Sequence, residues 1–278
     1  MRKNILVTGT STGIGRSIAL DLSARGWRVY AGVRKSADAE SLQEDADGEI
    51  VPLIIDVAKP DSVERAIAEL AEQTGGQLHA LVNNAGVYLG GPLELMSAEE
   101  IERSFAVNVT GLLLVTRACL PLLRAARGRI VNISSISGLV AMPGVSVYAA
   151  SKHAVEAITD SLRIELSPFE VEVVAVEPGG IRTPIWDKGA ARDASAREDD
   201  GNAETRALYA PLVRLLEKLN QKPGGLPPEA VAEVVRDALE SSKPKNRYLV
   251  GNDAKALNWL ERLPDALRDR AIKAKVWG

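Results

Sequence analysis

Short apolar runs alternate with longer amphipathic stretches along the chain. Most of the short runs are continuously apolar, which is the pattern of strands buried on both faces of a parallel sheet. The longer stretches repeat apolar residues at helical spacing. This alternation predicts an α/β fold with a doubly wound parallel sheet. The predicted strands are Asn4–Thr8, Arg28–Val33, Ile50–Ile55, Ala80–Val82, Arg129–Ile133, Val171–Val176 and Tyr248–Val250, and the predicted helices include Ile14–Arg25, Ser62–Gln73, Ala98–Leu123 and Ala149–Leu166.

Residues that cap or break helices mark the ends of these predicted helices. Asp61 or Ser62 can cap the second helix, and Ser97 can cap the third, with Glu100 at the capping-box position. We expect Pro168 to end the fourth helix, because proline lacks the N–H that a helix interior needs.

A different composition follows the sixth predicted strand. Residues 187–206 are polar, charged and rich in alanine, and five leucines from Leu208 to Leu219 then recur at helical spacing until Pro223. A long insertion between a strand and the next sheet element often covers a functional site. We therefore predict one domain, 1–278, in which residues 185–225 form a helical lid. A surface insertion that carries an oligomer face is the alternative.

The composition excludes several kinds of partner. The 278 residues include 34 Lys and Arg against 37 Asp and Glu, a net charge of −3, so nothing in the charge favours nucleic-acid binding. One cysteine and two histidines at distant positions cannot build a Cys/His metal site. We expect no membrane-spanning helix, since we find no run of about 18 apolar residues, and no secretory signal. A cytoplasmic protein is therefore expected.

A glycine-rich turn joins the first predicted strand to the first predicted helix. Gly9, Gly13 and Gly15 allow a tight turn and a close approach of the backbone to a ligand. The helix N-terminus then offers free N–H groups and a positive dipole end to a pyrophosphate. The position at a strand-to-helix junction favours a dinucleotide site over the alternative, a turn with no ligand.

The end of the second predicted strand indicates which dinucleotide binds. In NAD-binding sites of this type an acidic residue there holds the ribose 2′-hydroxyl. Here Val33 stands in that position and Arg34 follows. An arginine suits a 2′-phosphate, so we predict NADP(H) as the preferred cofactor, with NAD(H) possible; a merely solvated Arg34 is the alternative. Asp56 is a candidate for binding the adenine amino group or, alternatively, a cap of the following loop.

A tyrosine and a lysine one helical turn apart are candidates for proton transfer. Tyr148 and Lys152 project from one helix face if their segment is helical, although a solvated face is the usual alternative. A nearby ammonium favours the phenolate, so we expect Lys152 to lower the pKa of Tyr148. Ser134 and Ser135 follow a strand and would lie at the sheet edge where ligands bind in such folds.

Taken in order, these motifs resemble a known family. The motifs are Thr8-Gly9-x-x-x-Gly13-x-Gly15, Asn83-Asn84-Ala85-Gly86, Asn108, Ser135, Tyr148-x-x-x-Lys152 and Pro178-Gly179. The chain resembles the short-chain dehydrogenases/reductases of the single-domain branch, which have a Rossmann-type sheet. The resemblance covers about residues 1–185 and the strand near Tyr248, and it is the ordered set that makes it specific.

The resemblance implies a role for each catalytic candidate. Tyr148 would be the general acid in reduction and the base in oxidation, and Lys152 would lower its pKa and bind the nicotinamide ribose. Ser135, rather than Ser134, would hydrogen-bond the substrate oxygen. Asn108 would interrupt its helix and hold a water that links Lys152 to solvent. The implied cofactor-binding residues are Gly9, Ser11, Thr12, Gly13, Ile14, Gly15, Arg34, Asp56, Val57, Asn84, Ala85, Gly86, Tyr148, Lys152, Pro178, Gly179, Ile181 and Thr183, with no metal; Asn83 would brace the sheet.

The substrate class rests on a more diffuse resemblance. Residues 86–94, 145–148 and 176–179 are similar to the subgroup that contains 17β-hydroxysteroid and retinol dehydrogenases. An apolar pocket wall fits a hydrophobic ketone or aldehyde, or a secondary alcohol, of steroid- or retinoid-like character. The wall residues proposed on this basis are Val140, Met142, Val145, Ile185, Trp186, Leu208 and Leu212, although Met142 and Trp186 are alternatively ordinary core.

Two other functions fit the same scaffold. A non-catalytic NADP(H)-sensing regulatory protein is the main alternative, but such proteins usually lack the Tyr or the Lys. A sugar-nucleotide epimerase or dehydratase is the other, but those relatives tend to be longer. The family resemblance further implies a homodimer or homotetramer through the helices at Ala98–Leu123 and Tyr148–Leu166. The basic stretch Leu267–Trp277 could touch an anionic membrane surface or, alternatively, pack on the protein.

Overall fold

A parallel sheet of seven strands forms the centre of the protein. The computed structural model describes residues 2–184, 203–220 and 225–277. The strand order is β3-β2-β1-β4-β5-β6-β7, and every neighbouring pair is parallel. The strands are β1 (Asn4–Thr8), β2 (Arg28–Val33), β3 (Ile50–Ile54), β4 (Ala80–Asn83), β5 (Arg129–Ile133), β6 (Glu172–Pro178) and β7 (Arg247–Val250). The predicted α/β fold is confirmed, and each predicted strand ends within two residues of the observed one.

Helices cover both faces of this sheet. Residues such as Ile18 of α1 and Val235 of α8 pack on one face, and residues such as Leu70 of α3 and Val115 of α5 pack on the other. Because both faces are covered, most residues of the strands must be apolar. The helices are α1 (Gly13–Ala24), α2 (Ser36–Glu44), α3 (Pro60–Thr74), α4 (Ala98–Phe105), α5 (Leu112–Ala126), α6 (Ser146–Glu165), α7 (Ala203–Asn220), α8 (Pro228–Glu240), α9 (Asn252–Leu260) and α10 (Asp265–Trp277).

The helix ends match the capping predictions only in part. Ser97 and Glu100 form the predicted capping box at the start of α4. The predicted cap of the second helix is wrong: α3 begins at Pro60, one residue after its N-cap Lys59. Proline suits this first position because its missing N–H would have no helical partner there. The Ser62 hydroxyl instead accepts a hydrogen bond from the Asp56 backbone N–H at 2.9 Å.

A π-helical turn interrupts the longest helical stretch. Residues Ala106–Gly111 join α4 to α5 with this wider winding. The stretch Ala98–Ala126 is, among the described residues, long and apolar enough to cross a membrane, which differs from the expectation from the sequence. Its inner side nevertheless packs on the sheet through Cys119 and Leu123, and Thr116 accepts a hydrogen bond from Asn83 within the protein. This is the packing of a core helix.

The predicted lid is described only in part. Residues 185–202 and 221–224 lie outside the described residues, whereas α7 is described. Leu212 is buried at 5% exposure, whereas Leu208 is 69% exposed. Leu216 of α7 contacts Gly144. This helix therefore lies against the loop that precedes α6.

Candidate active site

The carboxyl ends of the central strands open onto a cavity of about 310 Å³. The strand order reverses between β1 and β4, which is where α/β folds of this type bind ligands. All eighteen predicted cofactor-binding residues line this cavity. The remaining lining residues are Gly32, Val33, Ile55, Val87, Tyr88, Leu89, Arg103, Val107, Ile133, Ser134 and Ser135.

The glycine-rich turn forms one wall of the cavity. Gly9 adopts a φ of +71°, and a Cβ placed there would lie 2.8 Å from the Ala85 Cα. A Cβ at Gly15 would clash with the Gly9 carbonyl and the Asn84 amide. Thr12, the N-cap of α1, makes no side-chain cap hydrogen bond, and residues 13–15 at this N-terminus line the cavity, so their N–H groups are available to a ligand there. This turn fits the pyrophosphate of a dinucleotide.

Asn84 fastens this turn to the neighbouring strand. Its side-chain amide donates to the Thr8 carbonyl at 2.9 Å and to the Gly9 carbonyl at 3.0 Å. The Thr8 hydroxyl accepts from the backbone N–H groups of Asn84 and Ala85, both at 3.0 Å. The side chain of Asn83 points the other way and donates to Thr116 and Asn132, so it braces the sheet as predicted.

The close packing around Gly15 gives a first prediction. We expect Gly15→Ala to weaken NADPH binding by about 5- to 100-fold, because the added methyl group must displace the Gly9 carbonyl or the Asn84 amide in the binding turn. Overpacking of this kind costs about 1–3 kcal/mol, and about 1.4 kcal/mol is tenfold in affinity. A fluorescence titration with NADPH measures the loss. Gly76→Ala is the control: Gly76 has a φ of +78°, and a Cβ placed there would meet no other atom within 4 Å, so this change should reduce stability without reducing affinity. Equal affinity losses in the two variants would contradict the prediction.

Arg34 and Asp56 lie where the adenosine end of a dinucleotide would be expected. Arg34 is exposed at the end of β2 and lines the cavity. Asp56 also lines it, but its Oδ1 accepts a hydrogen bond from the Ala58 backbone N–H at 3.2 Å. Both functions left open for Asp56, binding of the adenine amino group and capping of the following loop, are therefore compatible with its position.

Tyr148 and Lys152 lie together at the opposite end of the cavity. Both are buried on α6, and the Lys152 Nζ lies 5.8 Å from the centre of the Tyr148 ring. The Lys152 ammonium donates to the Ile133 carbonyl at 2.9 Å. Burial lowers the pKa of Lys152 to about 8, while the negative charge of Glu156 acts in the opposite direction.

The expected lowering of the Tyr148 pKa is wrong. Burial raises the pKa of Tyr148 to about 12, and a side-chain hydrogen bond with Ser135 only partly opposes this shift. Removing a phenolate from water costs more than the surrounding groups return. At neutral pH Tyr148 is thus a protonated phenol, the form that can donate a proton.

Asn108 lies behind the cavity, inside the π-helical turn. Its Oδ1 accepts from the Val87 backbone N–H at 2.8 Å. Its amide donates to the Val87 carbonyl and to the Ser151 hydroxyl, each at 3.0 Å. The local interruption of the helix agrees with the prediction. The side chain joins the loop after β4 to helix α6, the helix that carries Tyr148 and Lys152.

Several cavity residues were not predicted from the sequence. Tyr88 packs edge-on against Tyr148, with 5.1 Å between ring centres and 71° between ring planes. Arg103 and Val107 face the cavity from neighbouring turns of the helical stretch. Leu89 lies beside them. In sequence, Arg103 cannot be told from a solvated helix charge, because only the tertiary arrangement brings it to the cavity.

The predicted apolar pocket wall is not what lines the described cavity. Val140 is buried in a small cluster with Ala254 of α9, and Met142 packs against the same cluster. The loop before α6 therefore turns its apolar side chains towards α9, the alternative that the sequence left open for Met142. Ile185 and Trp186 lie outside the described residues.

Comparisons with known proteins agree with the fold. A family model described as short chain dehydrogenase matches residues 3–193. The chain is 37% identical over 274 residues to an NADPH-dependent 3-dehydrocapnine reductase from Ornithobacterium rhinotracheale, covering 95% of this chain and 94% of the relative. It is 37% identical over 280 residues to retinol dehydrogenase 16 of Mus musculus, covering 97% and 87%.

A solved structure extends the similarity to the whole fold. A short chain dehydrogenase from Burkholderia cenocepacia in complex with NADP superposes with a TM-score of 0.73 at 27% identity, covering 100% of this chain and 98% of that one. The chain belongs to the short-chain dehydrogenase family. It is an oxidoreductase that acts on CH–OH groups with NAD(P) as the cofactor.

Proposed function

We propose that this enzyme transfers a hydride between NADP(H) and a hydrophobic ketone or aldehyde, or the corresponding secondary alcohol, of steroid- or retinoid-like character. The observation that carries the proposal is the buried, protonated Tyr148, which faces the cavity beside Ser135. Tyr88 and Leu89 add apolar surface at this end. The similarity to a retinol dehydrogenase supports the substrate class.

The four catalytic candidates have separate tasks in this proposal. When bound, NADPH supplies the hydride. Tyr148 donates its phenolic proton to the carbonyl oxygen as that oxygen gains negative charge, and Ser135 donates a hydrogen bond to the same oxygen. Lys152 stabilises the phenolate that remains and binds the nicotinamide ribose. Asn108 holds the α6 helix in register and takes part in returning a proton from solvent to Tyr148 through Lys152.

The cofactor residues divide along the cavity in the same proposal. The turn at Gly9–Gly15 receives the pyrophosphate, and Arg34 pairs with the 2′-phosphate. Residues 178–183 enclose the nicotinamide end. Two contacts support this enclosure: the Thr183 side chain lies 3.1 Å from a Cβ position at Gly13, and the Asp253 carboxylate accepts from the Gly180 N–H at 2.6 Å.

Surface features, rather than the site, support the proposed assembly. We propose a cytoplasmic homodimer or homotetramer. Large apolar side chains are exposed on the helical stretch Ala98–Ala126, namely Phe105 and Leu113, and Ile164 is exposed on α6. Pairing two copies through these helices would cover that surface. Residues 185–225 are proposed to cover the substrate as a lid.

A graded panel of carbonyl compounds tests the substrate class. We expect kcat/KM with NADPH to be highest for retinal or a keto-steroid, lower for a small aryl ketone, and lowest for a hydrophilic keto-sugar, because apolar walls select apolar ligands. A β-ketoacyl thioester separates this class from acyl-chain reductases. Initial rates of NADPH oxidation give the ranking. Preference for the keto-sugar or the thioester would overturn the proposed substrate class.

A further inference from the structure

A buried cluster of charged groups lies directly behind the candidate catalytic lysine. Glu156 follows Lys152 by one turn of α6 and is 6% exposed, and Glu177 at the end of β6 is 1% exposed. The Arg247 Nε on β7 lies 3.2 Å from a carboxylate oxygen of each. None of these three residues lines the cavity described above. The cluster is therefore separate from the surface that touches a ligand.

The two carboxyl groups are buried close together, which disfavours a second negative charge in the cluster. Burial together with the charge of Glu156 raises the pKa of Glu177 to about 8. Arg247 donates a hydrogen bond to Glu156 but approaches Glu177 without one. The hydrogen bond from Arg247 therefore favours the negative charge on Glu156 over that on Glu177.

The other charged groups near Glu156 are paired among themselves, so its carboxylate remains the counter-charge one helical turn from Lys152. Arg247 is also paired with Asp160 at 2.7 Å, and Asp160 is paired with Arg163. The 3-10 turn after β5 packs tightly on the cluster, since a Cβ placed at Gly138 would lie 3.1 Å from the Glu156 Cγ and 3.0 Å from the Lys152 carbonyl. The titratable and charged groups around the pair are Tyr148, Asp160 and Arg163 on α6, Glu177 on β6 and Arg247 on β7, with Asn108 and Ser134 as neutral polar neighbours.

We propose that Glu156 is a positioning residue, whose buried carboxylate, held by Arg247 one helical turn from Lys152, stabilises the ammonium group of Lys152 beside Tyr148. A charged Lys152 is what stabilises the phenolate left after proton donation. Loss of the Glu156 charge therefore weakens proton transfer without removing a group that touches the substrate. The inference rests on the proposed function of Lys152.

The charge of Lys152 can be measured without a substrate. An amine reacts with acetic anhydride only when unprotonated, so the pH of half-maximal labelling, followed by peptide mass spectrometry, reports its protonation. Lys152 lines the cavity and is reachable by a small reagent. We expect Glu156→Gln to lower this midpoint by about one pH unit, as loss of a nearby opposite charge does. Glu177→Gln, which replaces a neutral carboxyl by a neutral amide, should leave the midpoint unchanged.

The outcomes separate this inference from the proposed function. An unchanged midpoint in Glu156→Gln, or equal shifts in both variants, would overturn the inference even where turnover is normal. If Glu156→Gln does not fold, Glu156→Asp is the second variant, because its shorter side chain keeps the charge but moves it away from Lys152. It should lower the labelling midpoint by less than Glu156→Gln would. An unchanged midpoint in Glu156→Asp would contradict the inference. Where a carbonyl is reduced, the alkaline limb of the kcat/KM profile should shift between wild type and Glu156→Gln by the same amount as the labelling midpoint. Failure of every carbonyl to react would count against the proposed function alone.

Discussion

Tyr148→Phe is expected to lower kcat by about 10²–10⁴-fold, the usual contribution of a general acid. The substitution removes one hydroxyl and keeps the ring, so the edge-on contact with Tyr88 is retained. The protonated phenol, whose pKa burial raises to about 12, is the proton source that the variant lacks. NADPH affinity and melting temperature should stay near the wild-type values.

A second tyrosine provides the matched control for this loss. The Tyr248 hydroxyl accepts a hydrogen bond from the Lys245 backbone N–H at 2.9 Å and lies outside the cavity lining. Tyr248→Phe therefore removes a phenolic hydroxyl from the sheet edge, away from the cavity, and this variant should retain the wild-type kcat. Steady-state rates and NADPH titrations of the two variants make the comparison. Wild-type turnover in Tyr148→Phe would refute the proposed proton donor.

Arg34→Ala is expected to weaken NADPH binding by about 10–10²-fold and to leave NADH binding nearly unchanged. A hydrogen bond to a charged partner contributes about 1.5–3 kcal/mol, and each 1.4 kcal/mol is about tenfold in affinity. The two cofactors differ only in the 2′-phosphate, so the difference isolates that contact. Added salt should reduce the wild-type preference for NADPH, since an exposed charge pair is screened.

Lys35 supplies the matched control for Arg34. It is the next residue, is exposed and is equally charged, but it does not line the cavity. Lys35→Ala changes the net charge by the same amount and should leave the ratio of the NADPH and NADH dissociation constants unchanged. Equal loss of both cofactors in Arg34→Ala, or an effect of Lys35→Ala as large as that of Arg34→Ala, would contradict the assignment.

The sheet could be predicted closely because burial on both faces requires continuous apolar strands. Helices with weaker patterns were missed. The nine residues of α2 bury only Ala39 and Leu42, so little apolar periodicity is visible. Helix α8 starts at Pro228 after a second proline, and prolines mark a loop as readily as the first turn of a helix.

The sequence predicted those residues of the candidate site that directly follow strands. It did not predict the features of the site that depend on tertiary packing. The glycine-rich turn directly follows β1, and Tyr148 lies on the helix after β5, so the sheet fixes the positions of both. The direction of the Tyr148 pKa shift depends on how completely the folded chain excludes water from the ring, which no spacing in the sequence reports. Glu156 and Glu177 are likewise distant in sequence, and only the pairing of β6 with β7 brings Arg247 between them.

The most direct test of the central claim follows the transferred hydride itself. Wild-type enzyme would be incubated with retinal or a keto-steroid and NADPH that carries deuterium at C4 of the nicotinamide, and the alcohol product analysed by mass spectrometry. We predict deuterium at the carbinol carbon, with the product almost absent in Tyr148→Phe. Tight NADPH binding without deuterated alcohol from any lipophilic carbonyl, or the same yield in Tyr148→Phe, would contradict the account.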